Sequence, residues 1–368
     1  MSVNDQHTGN NSAAPPFDLR SASLTELREF VRGLNEPDFR AAQLFAWLQQ
    51  KGARSYAEMS DLPQALRDKL ARQAALTAPA VVERRISARR DTAKLLLEFA
   101  DGERIEMALL LYDDPHSRER ATVCLSTQSG CAMGCKFCAT ARCADFRNLN
   151  AGEIVVQAQY ADALARELGF AGVTNVVFMG MGEPLANLDN LRRAIELLND
   201  ERGMNIGQRR ITVSTCGLVP QIYAMLDWGM QIGLAVSLHS ALPEQRAALM
   251  PAAARYSPAQ LIEACRDYRR RSGRRVTCEY ALFAGVNDSV AAADALAALL
   301  TGTDILVNII PANSGGEGGF HASDKQTTAA FAAALAKHGV DVELRRARGQ
   351  DIEAGCGQLR RRSDGAGR

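Results

Sequence analysis

Cys131, Cys135 and Cys138 are the residues of this chain whose types and spacing best suit chemistry. They lie in the run Cys131-Ala-Met-Gly-Cys135-Lys-Phe-Cys138, so three thiols share one short loop. Thiolates are soft ligands that favour iron–sulfur clusters, zinc or Cu(I). A four-iron cluster bound by three cysteines keeps one iron open for another ligand, whereas a zinc site needs a fourth ligand or a water. The spacing alone leaves both kinds of metal site open.

Cysteine usage in the whole chain favours metal binding over a disulfide framework. Four of the nine cysteines, at positions 131, 135, 138 and 143, lie close together. The first 17 residues are polar and contain Pro15-Pro16, so we expect a disordered tail rather than a signal peptide. No apolar stretch approaches the roughly 20 residues of a transmembrane helix. We therefore expect a cytoplasmic protein without a membrane partner, where such clusters are metal-binding or catalytic.

Composition and charge are those of an ordinary globular enzyme. The chain has 368 residues, of which 47% are hydrophobic and 23% charged, and this length suits one large domain and one small domain. A formal net charge of +1 does not indicate a nucleic-acid partner. Arginine clusters are usually solvated helix faces, with a phosphate-binding surface as the alternative. The clusters are Arg84, Arg85, Arg89 and Arg90; Arg266, Arg269, Arg270, Arg271, Arg274 and Arg275; Arg345, Arg346 and Arg348; and Arg360 to Arg362.

Residues 18–75 are predicted to form a small helical accessory domain. Ser23-Leu-Thr-Glu26 has the form of a capping box, and apolar residues follow at helical spacing. A second helix is predicted near Phe39–Gln50 and a third begins after Pro63. These helices carry no catalytic cluster, which indicates an accessory role.

Residues 76–120 are predicted to form a linker region that contains a β-hairpin. Lys94–Phe99 and Arg104–Leu110 flank Asp101-Gly102, a pair that suits a tight turn. Glu106 lies on the face of the second strand that is opposite its apolar neighbours. This pattern alone predicts a carboxylate that faces solvent.

Strands and helices alternate from residue 121, which indicates βα units and a parallel sheet. Six units are fewer than the eight of a full barrel. We therefore predict an α/β fold, a partial (β/α)6 barrel over residues 121–360, with its chemistry at the carboxyl ends of the strands and a flexible tail over 361–368. The strands are predicted at Thr122–Leu125, Asn175–Phe178, Ile211–Ser214, Gly233–Leu238, Val276–Leu282 and Leu306–Ile310, with a last strand near Val340–Arg345. The helices include Gly152–Leu168, Leu185–Leu198, Pro258–Arg271 and Ala291–Leu300.

Polar or glycine-rich residues follow most of these strands, as an assembled pocket requires. The cysteine loop follows the first strand. The later strand ends carry Gly180-Met-Gly182-Glu183-Pro184, Ser214, Ser237-Leu238-His239, Pro311-Ala-Asn313 and, after the last strand, Asp351-Ile-Glu-Ala-Gly-Cys356-Gly357.

In combination, these motifs resemble the radical S-adenosylmethionine (SAM) enzymes. The CxxxCxxC loop after the first strand and the Gly-Glu-Pro turn after the second carry that resemblance. The chain is further similar to the RlmN/Cfr family of RNA methyltransferases over about residues 18–360. The family motifs are Ser129-Gly-Cys131, Gly180-Met-Gly-Glu-Pro-Leu185, Ser237-Leu-His239, Asp351-Ile-Glu-Ala-Gly-Cys-Gly-Gln-Leu359 and the N-terminal stretch from Glu36 to Pro63.

The resemblance implies a [4Fe–4S] cluster held by Cys131, Cys135 and Cys138, with SAM on the open iron. It also implies a one-electron reductant such as flavodoxin, and a monomer. The positions that match the family's SAM site are Gly182, Glu183, Ser214, Ser237, Leu238, His239 and Asn313.

The same resemblance implies roles for Cys356, Cys124 and Glu106. Without the resemblance, each of the two cysteines would be interpreted as a small buried hydrophobic residue. In the family, the residue that matches Cys356 is methylated by one SAM, and a second SAM yields the radical that activates this methyl group for addition to adenine. The family's cysteine that matches Cys124 then releases the RNA by forming a disulfide, and the carboxylate that matches Glu106 accepts a proton.

The implied product is adenosine methylated at carbon 2 in 23S ribosomal RNA, with transfer RNA as a second candidate substrate. Carbon 8, as in the Cfr branch, is the alternative within this chemistry. From a different class, a non-enzymatic metal-binding RNA module stays open.

Two segments depart from the family pattern and bear on the RNA substrate. The usual Gly-Phe-x-Arg-Asn-Leu run is Ala144-Asp145-Phe146-Arg147-Asn148-Leu149, and the usual Trp-Asn-Pro is Ala312-Asn313-Ser314. Cys143 is an extra thiol near the loop, which we do not expect to be a ligand.

Overall fold

The N-terminal helical unit forms as its capping and spacing patterns predict. The computed structural model describes residues 17–113, 118–143, 146–312, 319–345 and 348–352. The capping box is present, because the Ser23 hydroxyl accepts from the Glu26 N–H and the Glu26 carboxylate accepts from the Ser23 N–H. The elements are β1 (Phe17–Asp18), α1 (Leu24–Gly33), α2 (Phe39–Phe45) with a π-helical turn (Ala46–Gln50), α3 (Gln64–Gln73) and β2 (Ala74–Ala75).

Three antiparallel strands follow this unit, namely β3 (Ala80–Ile86), β4 (Thr92–Glu98) and β5 (Arg104–Tyr112). The predicted hairpin is therefore confirmed. β3 was not predicted. It is an edge strand with a register shift, and its side chains are all exposed or half-buried, so its sequence does not alternate between apolar and polar residues as a strand with one buried face does.

In the described residues, seven parallel strands complete the same sheet, and seven helices lie between them along the chain. The sheet has ten strands in the sequential order β12 to β3, and β5 pairs antiparallel with β6. The partial-barrel prediction is confirmed, with element ends within a few residues of those expected. The remaining elements are β6 (Arg120–Cys124), α4 (Ala151–Glu167), β7 (Asn175–Phe178), α5 (Leu188–Asn199), β8 (Ile211–Thr215), α6 (Val219–Leu226), β9 (Gly233–Ser237), α7 (Pro243–Leu249), α8 (Pro258–Ser272), β10 (Val276–Leu282), α9 (Val290–Leu300), β11 (Leu306–Pro311), α10 (Lys325–Lys337) and β12 (Val342–Leu344).

The two faces of the parallel strands differ in polarity. Successive side chains of a strand point to opposite faces. One face is apolar and fully buried in the core, as at Val123, Val213 and Val307. The other face is half-buried and polar, with Cys124, Ser214, Ser237 and Asn308. The core therefore fixes which side chains face the open side of the sheet.

Ion pairs account for most of the arginine cluster on α8. Five of its arginines contact an Asp or Glu carboxylate: Arg266–Glu263, Arg269–Asp304, Arg270–Asp267, Arg271–Asp227 and Arg275–Asp341. This pairing favours the interpretation as a solvated surface. Among the residues described, no helix is long and apolar enough to cross a membrane.

Arg20 ties the helical unit to the barrel. This side chain is fully buried, and its guanidinium donates to the carbonyls of Leu48 (2.9 Å), Thr77 (2.8 Å) and Ala53 and to the Gln159 side chain of α4. Buried polar groups are costly when they lose their partners. Arg20 is therefore one of the contacts that fix the placement of the helical unit on the barrel, together with the hydrogen bond from the Gly152 N–H to the Ser21 hydroxyl and the Arg193–Glu26 ion pair.

Arg20→Met is expected to lower the free energy of unfolding by about 3 kcal/mol, since it leaves buried carbonyls without a donor. Urea denaturation measures this change. Arg192→Met is the control: its pair with Glu196 on α5 is half-exposed, so about 0.5 kcal/mol or less is expected. Equal losses in the two variants would contradict the role of Arg20.

Candidate active site

A cavity of about 310 Å³ lies at the carboxyl ends of the parallel strands. It brings together all three loop cysteines and five of the seven positions predicted to bind SAM. Leu238 points to the opposite face and is fully buried. Asn313 and Cys356 lie outside the described residues. The predicted residues that line the cavity are Cys131, Cys135, Cys138, Gly182, Glu183, Ser214, Ser237 and His239.

The cysteine loop is held by backbone contacts on both sides. Cys138 N–H donates to the Cys135 carbonyl (3.1 Å), and Lys136 N–H donates to the Leu249 carbonyl (3.0 Å). Burial raises the pKa of Cys131 and of Cys135 to about 12, and the neighbouring thiols and Glu183 add to that effect. A group of anionic sulfurs is thus costly here without a bound cation.

Donor type and shared placement fit a cluster held by three cysteines. Three thiols line one cavity beside polar groups that can hold a further ligand of the metal. Within the described ranges, no three His, Cys, Asp or Glu side chains form a ligand group for a single metal ion. Each thiolate of a four-iron cluster binds a different iron, so convergence on one point is not required of them.

The Gly180–Glu183 turn packs tightly against the start of the cysteine loop. Gly182 has a φ of +102°, and a Cβ there would lie 2.6 Å from the Cβ of Gln128. This close approach lets the Gln128 side chain accept from the Glu183 N–H (2.8 Å). The glycine therefore fixes Glu183 at the cavity wall.

The Glu183 carboxylate is buried and bound by backbone donors. It accepts from the N–H groups of Leu185 (3.0 Å) and Cys216 (2.7 Å). Burial raises its pKa, and these two donors act in the opposite direction. Each oxygen has a second lone pair, so the carboxylate can accept further donors from a ligand.

His239 is a neutral hydrogen-bond donor in this site. Its Nδ1 accepts from the Ala281 N–H (2.9 Å), so the proton of the ring is on Nε2. Burial lowers the pKa of His239 to about 3, and the buried Arg246 guanidinium contributes. The Phe137 ring of the cysteine loop packs edge-on against the imidazole at 4.9 Å. The orientation of His239 is therefore set from two sides.

Glu279 on β10 is a cavity residue that was not predicted. Its carboxylate accepts from the Asn308 Nδ2 at 2.8 Å. Burial raises the pKa of Glu279 to about 7, and Arg345, also in the cavity wall, lowers it. A single carboxylate within an otherwise buried strand was the signal that could have identified it. Cys216 is a second such residue, directly after β8.

Cys124 and Glu106 lie beside this cavity, one strand apart. Glu106 is 3% exposed and its Oε2 lies 2.6 Å from the Lys94 Nζ. The expectation of a solvent-facing carboxylate is therefore wrong. The hairpin lies within the sheet, between β6 and the edge strand β3, and the Glu106 carboxylate is buried there against the Lys94 ammonium of the neighbouring strand.

Arg147, which belongs to the departing segment after the cysteine loop, joins three parts of the chain. Its guanidinium forms two hydrogen bonds with the Glu153 carboxylate of α4 (both 2.7 Å) and one with Asp101 of the hairpin turn (2.6 Å). Residues 144–145, where the departure lies, are outside the described residues.

The segment that leads towards Cys356 is anchored on the hairpin. Arg348 donates to the Leu111 carbonyl (3.0 Å) and packs over the Tyr112 ring. The Asp351 carboxylate accepts from the Ala88 N–H (2.8 Å). The described end of the chain thus returns to the strands that carry Lys94 and Glu106.

Gly182→Ala is expected to destabilise the protein more than Gly169→Ala. Both glycines have positive φ, but a Cβ at Gly169 meets nothing within 4 Å. The φ strain costs about 1–3 kcal/mol in each variant, and the overlap with Gln128 adds about 1–3 kcal/mol. Urea denaturation compares the two, and equal losses would contradict the packing argument. We also expect weaker SAM binding only in Gly182→Ala.

Glu279→Gln is expected to flatten the pH dependence of stability. The pKa of Glu279 in the folded protein is raised from 4.5 to about 7. Between these two pH values the folded state binds a proton that the unfolded state has released. Protonated Glu279 therefore adds up to about 3 kcal/mol to the free energy of unfolding below about pH 4.5, and this contribution is lost as the pH rises through about 7. Urea denaturation of the cluster-free protein at about pH 5 and about pH 8 measures it. Glu263→Gln, at an exposed site, serves as control; parallel profiles for Glu279→Gln and wild type would disprove the assignment.

Comparisons with known proteins identify the family. A model of the radical SAM superfamily matches residues 125–296, and a model of the ribosomal RNA large subunit methyltransferase N-terminal domain matches residues 17–76. A probable dual-specificity RNA methyltransferase RlmN of Heliobacterium modesticaldum is 46% identical over 96% of this chain and 91% of its own length. Its counterpart of the same description in Moorella thermoacetica is 45% identical over 94% and 97%.

A solved structure leads to the same assignment. The crystal structure of a radical SAM methyltransferase from Sphaerobacter thermophilus superposes with a TM-score of 0.88, at 43% identity, over 93% of this chain and 99% of that one. This family uses a [4Fe–4S] cluster and SAM, and the donor set described above fits both. The chain therefore belongs to the RlmN family of radical SAM RNA methyltransferases and is an enzyme of that type.

Proposed function

We propose that this enzyme methylates carbon 2 of adenosine in 23S ribosomal RNA and in transfer RNA, with Cys356 as the methyl carrier and two SAM molecules per turnover. The observation that carries the proposal is the position of Cys124 and Glu106. The thiol and the carboxylate that such a scheme needs lie on neighbouring strands, on the face that borders the cysteine-lined cavity.

SAM cannot transfer its methyl group directly to an aromatic C–H carbon of adenine, because that carbon is not nucleophilic. When bound, the cluster and SAM would supply the radical chemistry that such a carbon requires, directed at the methyl group that Cys356 would carry. In this proposal Cys131, Cys135 and Cys138 hold the cluster. Glu183, Ser214, Ser237 and His239 offer acceptors and donors for the methionine end of SAM.

The residues of this chain then release the methylated base. The Cys124 sulfur attacks the Cys356 sulfur, so that an S–S bond forms and the S–C bond to the bridging methylene breaks. The electron pair stays on that carbon, which takes a proton and becomes the methyl group. Glu106 would accept the proton that the adenine carbon loses, and the unpaired electron left on the ring by the radical addition would return to the cluster. An external dithiol would then reduce the disulfide.

The surroundings of Cys124 suit a thiol that reacts late. Burial raises the pKa of Cys124 to about 11, and the charges of Arg345 and Lys94 lower it. The half-buried thiol is therefore mostly protonated at neutral pH, and a positive charge beside it would favour the reactive thiolate.

The names of the relatives support more than one RNA substrate. The curated relatives at 40–46% identity are described as dual-specificity RNA methyltransferases. For the present enzyme we propose flavodoxin as the electron donor and a monomer as the active form.

Cys124→Ala is expected to trap a covalent protein–RNA adduct. The variant keeps every group that forms the bridge and lacks the thiol that resolves it. The reconstituted enzyme is incubated anaerobically with methyl-labelled SAM and ribosomal RNA, and the protein and digested nucleosides are analysed by mass spectrometry. Cys265→Ala removes a thiol buried within α8 and is expected to turn over normally.

The same measurement contains the outcomes that would overturn the proposal. Wild-type enzyme should place label on Cys356 and on carbon 2 of adenosine. A Cys356→Ala variant that still methylates RNA would exclude the methyl-carrier scheme, and label on carbon 8 would assign the regiochemistry to the Cfr branch.

A further inference from the structure

We propose that Lys94 is a positioning residue that serves Glu106 and Cys124 in turn, as the counter-charge of the carboxylate before proton transfer and of the thiolate after it. This inference rests on the proposed function, in which Glu106 accepts a proton and Cys124 resolves the adduct. It adds a third residue, on a third strand, to that pair.

Strand register places the three side chains around one small residue. Lys94 of β4 pairs with Ala108 of β5, and Ala108 pairs with Cys124 of β6. Glu106 lies two residues from Ala108 along β5 and therefore on the same face. Directly opposed residues of antiparallel strands lie about 4.5–5.5 Å apart. Ala108, whose side chain is a single methyl group, therefore lies between Lys94 and Cys124 in the strand register.

The Lys94–Glu106 ion pair lies away from water. Its Nζ–Oε2 distance is 2.6 Å, and the two side chains are 1% and 3% exposed. Removing two charges from water costs several kcal/mol per ion, and apolar residues often replace such pairs without loss of stability. Stability alone therefore does not account for a lysine within β4, where most other side chains are apolar.

The charges couple the carboxylate to the thiol. Burial dominates the pKa of Cys124 and raises it; the charge of Arg345 and, to a smaller extent, that of Lys94 lower it, and Glu106 raises it. While Glu106 is ionised, its charge offsets that of Lys94. Once Glu106 takes the proton of the adenine carbon, the ammonium is left uncompensated next to the thiol. Deprotonation of Cys124 is then favoured, and the thiol proton balances the hydrogen that the methylene gains on becoming methyl.

This order of events gives a reason for the placement. The thiol becomes reactive only after the adenine carbon has lost its proton, so the bridge is not cut early. Lys94 touches neither SAM nor the reacting carbon in this scheme. It acts through the two residues beside it.

The test uses charge variants whose effects on Cys124 have opposite signs. In the cluster-free protein, the rate at which a small alkylating reagent modifies Cys124 is measured against pH by mass spectrometry. Lys94→Met is expected to shift the reactivity of Cys124 to higher pH, and Glu106→Gln to lower pH. The double variant Lys94→Met/Glu106→Gln falls between them. A purely structural role of Lys94 would not produce opposite shifts.

The second measurement uses the reconstituted enzyme. Lys94→Met is expected to methylate Cys356 at the wild-type rate but to release the RNA adduct about 100-fold more slowly. Lys94→Arg keeps the charge and should restore most of the release. Arg104→Met is the matched control, because Arg104 pairs with Glu98 across the same two strands but is 31% exposed; it should release RNA normally.

The variants also separate the possible failures. If Lys94→Met does not fold, the double variant, which leaves no buried charge unpaired, is compared with Glu106→Gln, and Cys124 should react at higher pH in the double variant than in Glu106→Gln. Wild-type adduct release and an unchanged alkylation profile in Lys94→Met, or identical profiles in Glu106→Gln and the double variant, would overturn the inference. If Cys124→Ala forms no adduct at all, the proposed function fails instead.

Discussion

The continuous hydrogen-bonded register from β4 through β5 and β6 to β7 is the constraint on which the rest of the site depends. It joins an antiparallel hairpin to a parallel barrel without a break, so that side chains from both parts share one face. A slip of one residue between β5 and β6 would turn either Glu106 or Cys124 towards the helices. The apolar alternation of Val123 and Val176, buried on the opposite face, makes such a slip costly.

The same alternation explains why much of the fold was predictable. In the barrel, β-branched runs such as Ile211–Thr215 carry their own period of two and end at polar residues, so both the strands and the pocket at their carboxyl ends follow from local patterns. Cys131, Cys135 and Cys138 are close in sequence, and their proximity in space required no tertiary information. The role proposed for Cys124 came from the resemblance to the family, because the sequence around a single cysteine on a strand does not indicate whether that cysteine is reactive.

The sequence was least informative where burial depends on distant partners. Glu106 shows the pattern of an exposed strand residue, yet it is buried in contact with Lys94 of the neighbouring strand. Lys94 and Glu279 are charged residues in mostly apolar strands, and their partners come from neighbouring strands. A pattern along one strand cannot report what lies across from it, and so the polar contacts between strands were missed.

Residues 348–352 contact the hairpin and so join the two ends of the curved sheet. β12 and β3 are the two edges of the sheet, and the contacts of Arg348 and Asp351 link the chain beyond β12 to the hairpin by side-chain hydrogen bonds rather than strand pairing. These side-chain hydrogen bonds can break while all backbone hydrogen bonds between the strands of the sheet are kept. Within the described part of the chain, this link can therefore open while the whole strand ladder is kept, and it lies in the stretch that precedes Cys356 in the sequence.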